Sequence, residues 1–567
     1  MASNLAARAA RFWLARAGPV AARSTRRLRS APDYLRGVVG ASNGGYAQNC
    51  RQFRLFSGCR RSRANRPRPR LNLVDGRSVK VPLRRDCDVV VVGSGPAGSA
   101  VARTCARAGA KVVVVEAGHR YFPHEFAPDS FTAMAQLYRD MGATVTLGRA
   151  PLPYLQGQAV GGTSVVNGAI SWRLPHDVYL NWLAGDPAIE QAWPWQRLEQ
   201  VTDDLIAELH IAPTDPAVAG PKNLLLAKGA EILGLEHRPI SRNVHGCRGS
   251  GRCLQGCPHG AKQSMDQSLL PDACRYGAEI LAGCAVHTLV RQGSRAVGVG
   301  GTTAGGGRFE VHAAKVVLAC SAIQTPCLLR RNGLDRGPVG DGFQCHPGGA
   351  VAGRFAEPVR MWQGATQGHE VIGLRTEGIK FEALGFDYTI LASRLPGAGS
   401  TWAANIDDMA HWLDWGAAIK AQARGKVRPM GSGARVHYDL VEQDVFKLRK
   451  GISVLGQMML AAGAQFVVPG VHGFDAQVTD INRMSELQTV GPLDARAYHM
   501  AATHLFGTCR AASSAQVGVV GLDFQHHEVK GLYVADSSIF PSNTGVNPQT
   551  SILALATLCG NNLTRGG

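Results

Sequence analysis

A regular pattern of apolar and polar positions begins at Asp86. The run Val89–Val92 is a short, uninterrupted β-branched stretch that leads directly into Gly93-Ser-Gly95-Pro-Ala-Gly98. A helical stretch, Ser99–Ala108, follows, and a second apolar run ends at Glu116. Short β-branched runs without polar alternation are typical of strands buried on both faces of a parallel sheet. The pattern therefore predicts a strand, a glycine loop, a helix and a second strand.

The glycine loop between these strands has the spacing of a dinucleotide-binding fingerprint. Gly93 suits the tight turn, Gly95 lets a pyrophosphate approach the backbone, and Gly98 lets the helix pack on the strand. Glu116, at the end of the second strand, is placed to accept hydrogen bonds from ribose hydroxyls. The fingerprint alone does not separate FAD from NAD.

Further blocks of small and apolar residues follow along the chain. Gln156–Gly168 is rich in small residues, which suits a backbone lying against a planar ring system. Val316–Leu329 predicts a buried strand and then a helix that begins at the Thr325-Pro326 pair. The C-terminal blocks predict a strand, a turn and a final apolar helix, and they are His504–Arg510, Gly531–Pro541 and Gly545–Ala556.

Composition separates a basic leader from a nearly balanced body. The chain has 567 residues, 45% of them hydrophobic, and a formal net charge of +19. Residues 1–70 hold 16 arginines, no lysine and one acid, so they account for 15 of these 19 charges. The remaining sequence lacks the basic excess that a nucleic-acid-binding face requires, and it contains no apolar run of about 18 residues that could span a membrane.

The leader, residues 1–72, is rich in arginine, alanine and serine and almost free of acids. This composition is typical of an organellar transit peptide, and its basic amphipathic start favours the mitochondrion over the plastid. A disordered basic tail is the alternative that composition alone permits.

Three cysteines lie close together in the segment 245–262. Cys247, Cys253 and Cys257 have C-x5-C-x3-C spacing, with glycines between them. Thiolates are soft ligands for iron–sulfur centres or zinc, and clustered cysteines in a reducing compartment are more often ligands than disulfide partners. The alternatives are three reduced structural thiols, or zinc with His245 or His259 as a fourth ligand, although the paired C-x2-C spacing of zinc sites is missing.

With these blocks in this order, residues 86–567 resemble the glucose–methanol–choline (GMC) family of FAD-dependent oxidoreductases. The resemblance implies an α/β fold with a Rossmann-like FAD-binding domain and a second, mainly antiparallel-sheet substrate domain. The expected FAD-binding domain is discontinuous, at 86–345 and 490–567, and encloses a substrate domain at 346–489. One departure is Cys320-Ser321, which stands where the family more commonly has Ala-Gly.

The resemblance also implies roles for individual residues. It assigns the ADP half of FAD to Gly93, Gly95, Gly98, Glu116 and Val286. The loop beside the flavin is Gly162, Thr163, Ser164 and Asn167. The residues that close over the ring side are Asp536, Asn547, Pro548 and Gln549. The catalytic pair falls on His504 and Asn547. Removing the hydroxyl proton of an alcohol makes hydride transfer to flavin N5 feasible, and neutral imidazole is suited to take that proton near pH 7, while asparagine donates to the oxygen.

The expected function is that of an FAD-dependent dehydrogenase that oxidises a polyol, sugar or long-chain alcohol to its carbonyl. The cysteine segment resembles the catalytic subunit of FAD-dependent glucose and polyol dehydrogenases, in which three cysteines bind a [3Fe-4S] cluster. That likeness implies electron transfer to a quinone or cytochrome-like acceptor. Two alternatives are an alcohol oxidase that uses O2 and produces H2O2, and an FAD-containing lyase or photodecarboxylase.

Overall fold

The computed structural model describes residues 71–565. All but the last two residues of the predicted leader, 1–72, lie outside this range. The described strands, numbered in chain order, are β1 (Leu73–Asp75), β2 (Leu83–Val92), β3 (Val112–Glu116), β4 (Ile211–Pro213), β5 (His237–Pro239), β6 (Ser241–Asn243), β7 (Glu279–Ala282), β8 (Cys284–Gln292), β9 (Arg295–Thr303), β10 (Arg308–Leu318), β11 (Asp341–Phe355), β12 (His369–Val371), β13 (Ile379–Ala383), β14 (Trp412–Ile419), β15 (Gly425–Met430), β16 (Gly433–His437), β17 (Ala464–Val468), β18 (Met500–Phe506) and β19 (Leu532–Val534).

The α-helices of the same range are α1 (Pro96–Arg107), α2 (Ser130–Leu137), α3 (His176–Gly185), α4 (Ile189–Ala192), α5 (Trp195–Glu208), α6 (Pro216–Ala219), α7 (Pro221–Ile232), α8 (Leu269–Arg275), α9 (Ser321–Arg331), α10 (Tyr388–Arg394), α11 (Ser400–Asp407), α12 (Glu442–Ala462), α13 (Ile481–Val490) and α14 (Gln549–Arg565). Short 3-10 helices include Gly162–Val165, Cys253–Gln255 and Ser537–Ile539. Between residues 71 and 565, no helix is both long and apolar enough to cross a membrane.

The predicted strand, loop, helix and strand lie in the first sheet. Its central order is β1-β7-β3-β2-β10, all parallel, with β19 also parallel to β10 and with β9 and β8 added antiparallel at one edge. The valines of β2 are buried and align with those of β3, Val89 opposite Val112. Helix α14 packs on α1 so closely that a Cβ on Gly560 would lie 2.7 Å from Cβ of Thr104. This parallel sheet and its helices confirm the α/β fold class.

The second sheet has nine strands and is antiparallel throughout. Its main path is β16-β15-β11-β14-β13-β12-β5, and β17 and β18 also pair with the long strand β11. Its hydrophobic core is separate from that of the first sheet and includes Trp412, Trp415 and Phe381, all fully buried. The sheet confirms the expectation of a mainly antiparallel second layer, while the residue boundaries of the two domains stay a prediction.

One local prediction is wrong. Helix α9 begins at Ser321 and not at the Thr325-Pro326 pair, so Pro326 lies inside the helix. Proline has no N–H to donate to the carbonyl four residues earlier, which is that of Ala322. The hydroxyl of Thr508 donates to this carbonyl at 2.6 Å instead, and the replacement bond lets the helix accommodate the proline.

Candidate functional site

The first glycine loop joins β2 to α1 in a conformation that only glycine fits. Gly93 has a φ of 102°, and a Cβ there would lie 2.3 Å from the carbonyl oxygen of Ala319. A Cβ on Gly98 would lie 1.9 Å from the carbonyl oxygen of Gly93. Both positions therefore exclude side chains, one for the turn and the other for helix packing, as the fingerprint predicts.

The second glycine-rich loop approaches the first directly. A Cβ on Gly162 would lie 2.7 Å from Cα of Gly95, whereas a Cβ on Gly95 itself meets nothing closer than 3.9 Å. Both loops line a cavity of about 1100 Å³. The approach brings together two motifs that are more than 60 residues apart in the sequence.

Glu116 ends β3 beside the first loop. Its carboxylate accepts from the backbone N–H of Ser94 at 2.9 Å, from the Ser94 hydroxyl at 2.7 Å and from the N–H of Gly118 at 2.7 Å. The carboxylate is buried, lines the cavity and fixes the loop through Ser94. Its contact with a ribose stays a prediction.

Asn167 and Gln549 connect the second loop to the start of α14. The Asn167 amide donates to Oε1 of Gln549 at 2.6 Å. Nε2 of Gln549 is buried and has no hydrogen-bond partner among residues 71–565, although the side chain lines the cavity. A buried donor without a partner costs free energy unless a ligand satisfies it. This donor and the bare glycine backbone of both loops fit the FAD that the sequence predicts.

Asp536 is buried where β19 leads into the Ser537–Ile539 turn, and it holds the start of α9. The carboxylate accepts from the N–H of Ser321 at 3.0 Å, the hydroxyl of Thr325 at 2.6 Å and the N–H of Ser538 at 2.9 Å. Burial raises the pKa of Asp536 above its usual value, although these three donors oppose the shift. The carboxylate therefore has a structural task in addition to the cofactor contact that the sequence predicts.

His504 and Asn547 face each other across the cavity. His504 lies on β18 with a left-handed φ of 53°, a strained conformation for a residue other than glycine and one that is enriched at active sites. Its Nε2 is 3.3 Å from Nδ2 of Asn547. Burial and the charge of Lys380 lower the pKa of His504 to about 3, so the imidazole is neutral at pH 7.

A second histidine, His346 on β11, contacts His504 and was missed by the sequence analysis. Its Nδ1 is 3.0 Å from Nδ1 of His504, and its Nε2 accepts from the N–H of Gly545 at 3.0 Å. Burial and the neighbouring His504 lower the pKa of His346 well below the usual value. The only local signal is Cys345-His346-Pro347, because the contact depends on the pairing of β11 with β18, where His346 is opposite Thr503.

A buried lysine on β13 was also missed. The Lys380 side chain is 4% exposed, and its ammonium contacts Glu370 at 2.8 Å and the carboxylate of Glu382. It also donates to Oδ1 of Asn547 at 2.6 Å. Burial opposes the charged form, but the two carboxylates outweigh it and raise the pKa of Lys380. The pattern Ile379–Ala383 reads as a half-buried strand, so the sequence does not reveal this contact.

All predicted cofactor and catalytic residues line this one cavity except Gly98, whose role is packing. The same cavity also has apolar lining residues from α2, from α10 and from loops, namely Phe131, Met134, Leu155, Phe386 and Ile390. The cavity therefore combines a glycine-lined dinucleotide crevice, a polar centre at His504 and Asn547, and an apolar flank.

The cysteine segment gives no support to the predicted metal site. Among residues 71–565, no three His, Cys, Asp or Glu side chains are placed to hold a metal ion together. Sγ of Cys247 accepts from Arg242 at 3.7 Å, and the N–H of Cys253 donates to the hydroxyl of Thr366 at 3.2 Å. Neither these thiols nor Cys257 line the cavity. The structure therefore does not support the [3Fe-4S] centre or the zinc alternative.

Lys262, which follows the cysteines, connects the segment to another part of the site. Its buried ammonium donates to the carbonyl oxygens of Val165 at 2.7 Å, Asn167 at 2.8 Å and Cys253 at 2.8 Å. The segment is thereby attached to the second glycine-rich loop, which lines the cavity.

Comparison with known proteins agrees with this geometry. Family models described as GMC oxidoreductase match residues 134–348 and 421–556, and an FAD binding domain model matches residues 88–124. An uncharacterized GMC-type oxidoreductase of Mycobacterium tuberculosis is 35% identical over 535 residues, which cover 93% of this chain and 83% of the relative. A long-chain-alcohol oxidase of Arabidopsis thaliana is 29% identical over 512 residues, which cover 83% of this chain and 66% of the relative.

Solved structures share the fold at low sequence identity. Pyridoxine 4-oxidase from Mesorbium loti has a TM-score of 0.63 at 18% identity, covering 84% of this chain and 98% of its own. A formate oxidase has a TM-score of 0.66 at 16% identity, covering 85% of this chain and 98% of its own.

Proposed function

Because the chain belongs to the GMC oxidoreductase family and has its FAD-binding sequence, we propose that it oxidises an alcohol to the corresponding carbonyl compound. The observation that carries the proposal is the placement of His504 and Asn547. Their facing nitrogens, 3.3 Å apart, lie in the same cavity as the two glycine loops. A substrate oxygen within hydrogen-bond distance of both nitrogens contacts a neutral imidazole and an amide at once.

In this proposal His504 removes the hydroxyl proton at Nε2. The low pKa keeps the imidazole unprotonated at neutral pH, so the ring is available as an acceptor. To accept at Nε2, the ring must carry its own proton on Nδ1, the atom that faces His346. When bound, FAD supplies the two-electron acceptor for the hydride that leaves the alcohol carbon.

Asn547 complements this proton transfer. Its Nδ2 donates toward the substrate oxygen, where negative charge develops as the proton leaves. Gly93, Gly95 and Gly162 present the backbone to FAD, and Gln549 offers it the free Nε2 donor. These residues orient the reactants, while His504 moves the proton.

The apolar flank of the cavity favours an alcohol with an apolar chain over a sugar or polyol. Side chains such as Phe131, Met134 and Leu155 offer no hydrogen bonds to the many hydroxyls of a sugar, whereas they can pack against an alkyl chain. The similarity to long-chain-alcohol oxidases supports the same substrate class.

For reoxidation of the reduced enzyme, a non-oxygen acceptor remains the sequence-based expectation, although no cysteine relay supports it now. A second candidate is direct reaction with O2, because similar proteins are named oxidases, including long-chain-alcohol oxidases and paromamine 6'-oxidase. Rapid H2O2 formation during turnover supports the second candidate, and turnover only with a quinone or dye supports the first.

Anaerobic mixing of the FAD-loaded protein with single alcohols tests the proposal. We expect 1-dodecanol to bleach the oxidised flavin band, and glucose and sorbitol to bleach it far more slowly at equal concentration. A flavin that stays oxidised with every alcohol contradicts the proposal and favours the lyase or photodecarboxylase alternative, which illumination with a fatty acid then tests.

We also propose, from the Arg-rich leader, that the protein acts in an organelle, the mitochondrion before the plastid. Residues 1–72 fused to a fluorescent protein are expected to direct it to mitochondria. Plastid or cytosolic fluorescence contradicts this location.

A further inference from the structure

The buried ammonium of Lys380 lies beside the proposed reaction centre. It does not contact His504, but it donates to Oδ1 of Asn547 at 2.6 Å. A lysine ammonium has three donors and no acceptor. The Asn547 atom that faces it is therefore the oxygen, and the amide nitrogen faces His504 and the cavity. Lys380 thus sets the orientation of the Asn547 side chain, so that its amide nitrogen faces the substrate position.

The surroundings of Lys380 hold it in place. Glu370, which contacts the ammonium at 2.8 Å, also accepts from Arg238 Nε at 2.9 Å and from Trp172 Nε1 at 2.8 Å. The Trp172 ring lies 5.2 Å from the ammonium. Buried charges are tolerated when paired and fully hydrogen-bonded, and under these conditions they fix geometry more than they add stability.

Glu382 extends the same cluster into the cavity wall. Its carboxylate contacts the ammonium and accepts from Nε2 of Gln367 at 2.6 Å. Lys380, Glu382 and Gln367 all line the cavity beside Asn547. The cluster is therefore part of the site and not a remote ion pair.

From these contacts we propose that Lys380 is a positioning residue that orients Asn547 as a hydrogen-bond donor to the substrate oxygen. The inference rests on the proposed alcohol oxidation. The ammonium is a fixed positive charge next to the Asn547 carbonyl. That charge polarises the amide toward developing negative charge and opposes a second positive charge on the nearby imidazole.

The charged and titratable groups around His504 come from different strands. His346 faces it from β11, and Lys380 from β13 with Glu382 beside it, while Glu370 is reached through Lys380 from β12. His346 is itself buried and neutral at pH 7, so the nearby positive charge that acts on His504 comes from Lys380.

The test compares Lys380→Met, Lys380→Arg and the control Lys228→Met in the FAD-loaded protein. Lys228 is a lysine outside the cavity that donates to the carbonyl of Ala462. We expect Lys380→Met to slow anaerobic flavin reduction about a hundredfold, the scale for losing one preorganised donor. Lys380→Arg should restore part of the rate, and Lys228→Met should match wild type.

A second readout does not depend on substrate. With 15N-labelled histidine, and with His504→Gln to assign its signals, NMR should show that His504 protonates at higher pH in Lys380→Met than in wild type. If Lys380→Met fails to fold, Lys380→Met/Glu382→Gln keeps the charge balance because Glu370 retains Arg238.

The outcomes separate the two hypotheses. If no alcohol reduces wild-type flavin, the proposed function fails, and the titration of His504 still decides whether Lys380 controls the imidazole. If wild type is reduced but Lys380→Met keeps its rate and the titration of His504 is unchanged, the inference about Lys380 is wrong.

Discussion

Nδ1 of His346 and Nδ1 of His504 lie 3.0 Å apart, and one proton serves both atoms. The N–H of Gly545 donates to Nε2 of His346, so a neutral His346 carries its proton on Nδ1 and points it at His504. A base at Nε2 of His504 requires the opposite arrangement, with the proton on Nδ1 of His504. Only one proton fits between the two Nδ1 atoms, so the two arrangements exclude each other. His346 therefore tunes the basicity of His504.

Two substitutions of His346 test the roles of its two ring nitrogens separately. Asparagine places an amide near the former Nδ1 and can accept from His504, whereas glutamine places one near the former Nε2 and preserves the contact with Gly545. We expect His346→Gln to slow flavin reduction by alcohol at least about tenfold more than His346→Asn. Stopped-flow absorbance at equal FAD occupancy measures both rates, and equal rates contradict a role for the Nδ1 contact.

Replacing His504 tests the base itself. His504→Ala should still bind FAD, because the glycine loops are untouched, but should slow flavin reduction at least about a hundredfold. His472 is an exposed histidine, and His472→Ala is the matched control variant. Since the pKa of His504 is lowered to about 3, its neutral form persists down to that pH, and the wild-type rate should show no decline attributable to His504 between pH 7 and pH 5. An acid limb near pH 6.5 that His504→Ala abolishes would show that the imidazole titrates normally.

The features that the sequence predicts correctly are those set by local backbone constraints. Gly93 and Gly98 are predictable because the turn itself requires them: Gly93 has a left-handed φ, and a Cβ on Gly98 would meet the carbonyl oxygen of Gly93 in the same loop. His346 and Lys380 are not, because their side-chain contacts are with His504 and Asn547, which lie 158 and 167 positions away in the sequence. The cysteine spacing does not by itself determine whether the side chains converge, and among residues 71–565 no group of three possible ligands is placed to support the predicted centre.

Ser321 shows a departure from the family with a physical cost. Its φ of 97° is a region that glycine occupies freely and other residues do not, which explains why glycine is common at this position. The Ser321 hydroxyl recovers part of this cost, because it accepts from Nε2 of Gln156 at 2.7 Å and from the N–H of Ile323 at 3.3 Å.

Two variants of Ser321 separate strain from hydrogen bonding. Ser321→Ala keeps the strained backbone and loses the hydroxyl, whereas Ser321→Gly loses the hydroxyl and relieves the strain. We expect the glycine variant to be more stable than the alanine variant by about 1 kcal/mol. Urea unfolding followed by tryptophan fluorescence measures the difference, and an alanine variant as stable as the glycine variant would show that the left-handed backbone carries no cost.

His526 gives the stability a pH dependence that is independent of catalysis. The side chain is 6% exposed, and burial, with smaller contributions from His527 and Arg291, lowers its pKa to about 4. In the unfolded chain the pKa of histidine is about 6.5, so the unfolded state binds more protons between these values. The contribution of His526 is therefore complete above pH 6.5 and is lost as the pH falls toward 4, by about 2 kcal/mol at pH 5. His526→Gln should remove this share of the loss. Urea unfolding of both proteins at pH 7 and pH 5 measures it, and identical pH dependence in the two proteins would place the titration elsewhere.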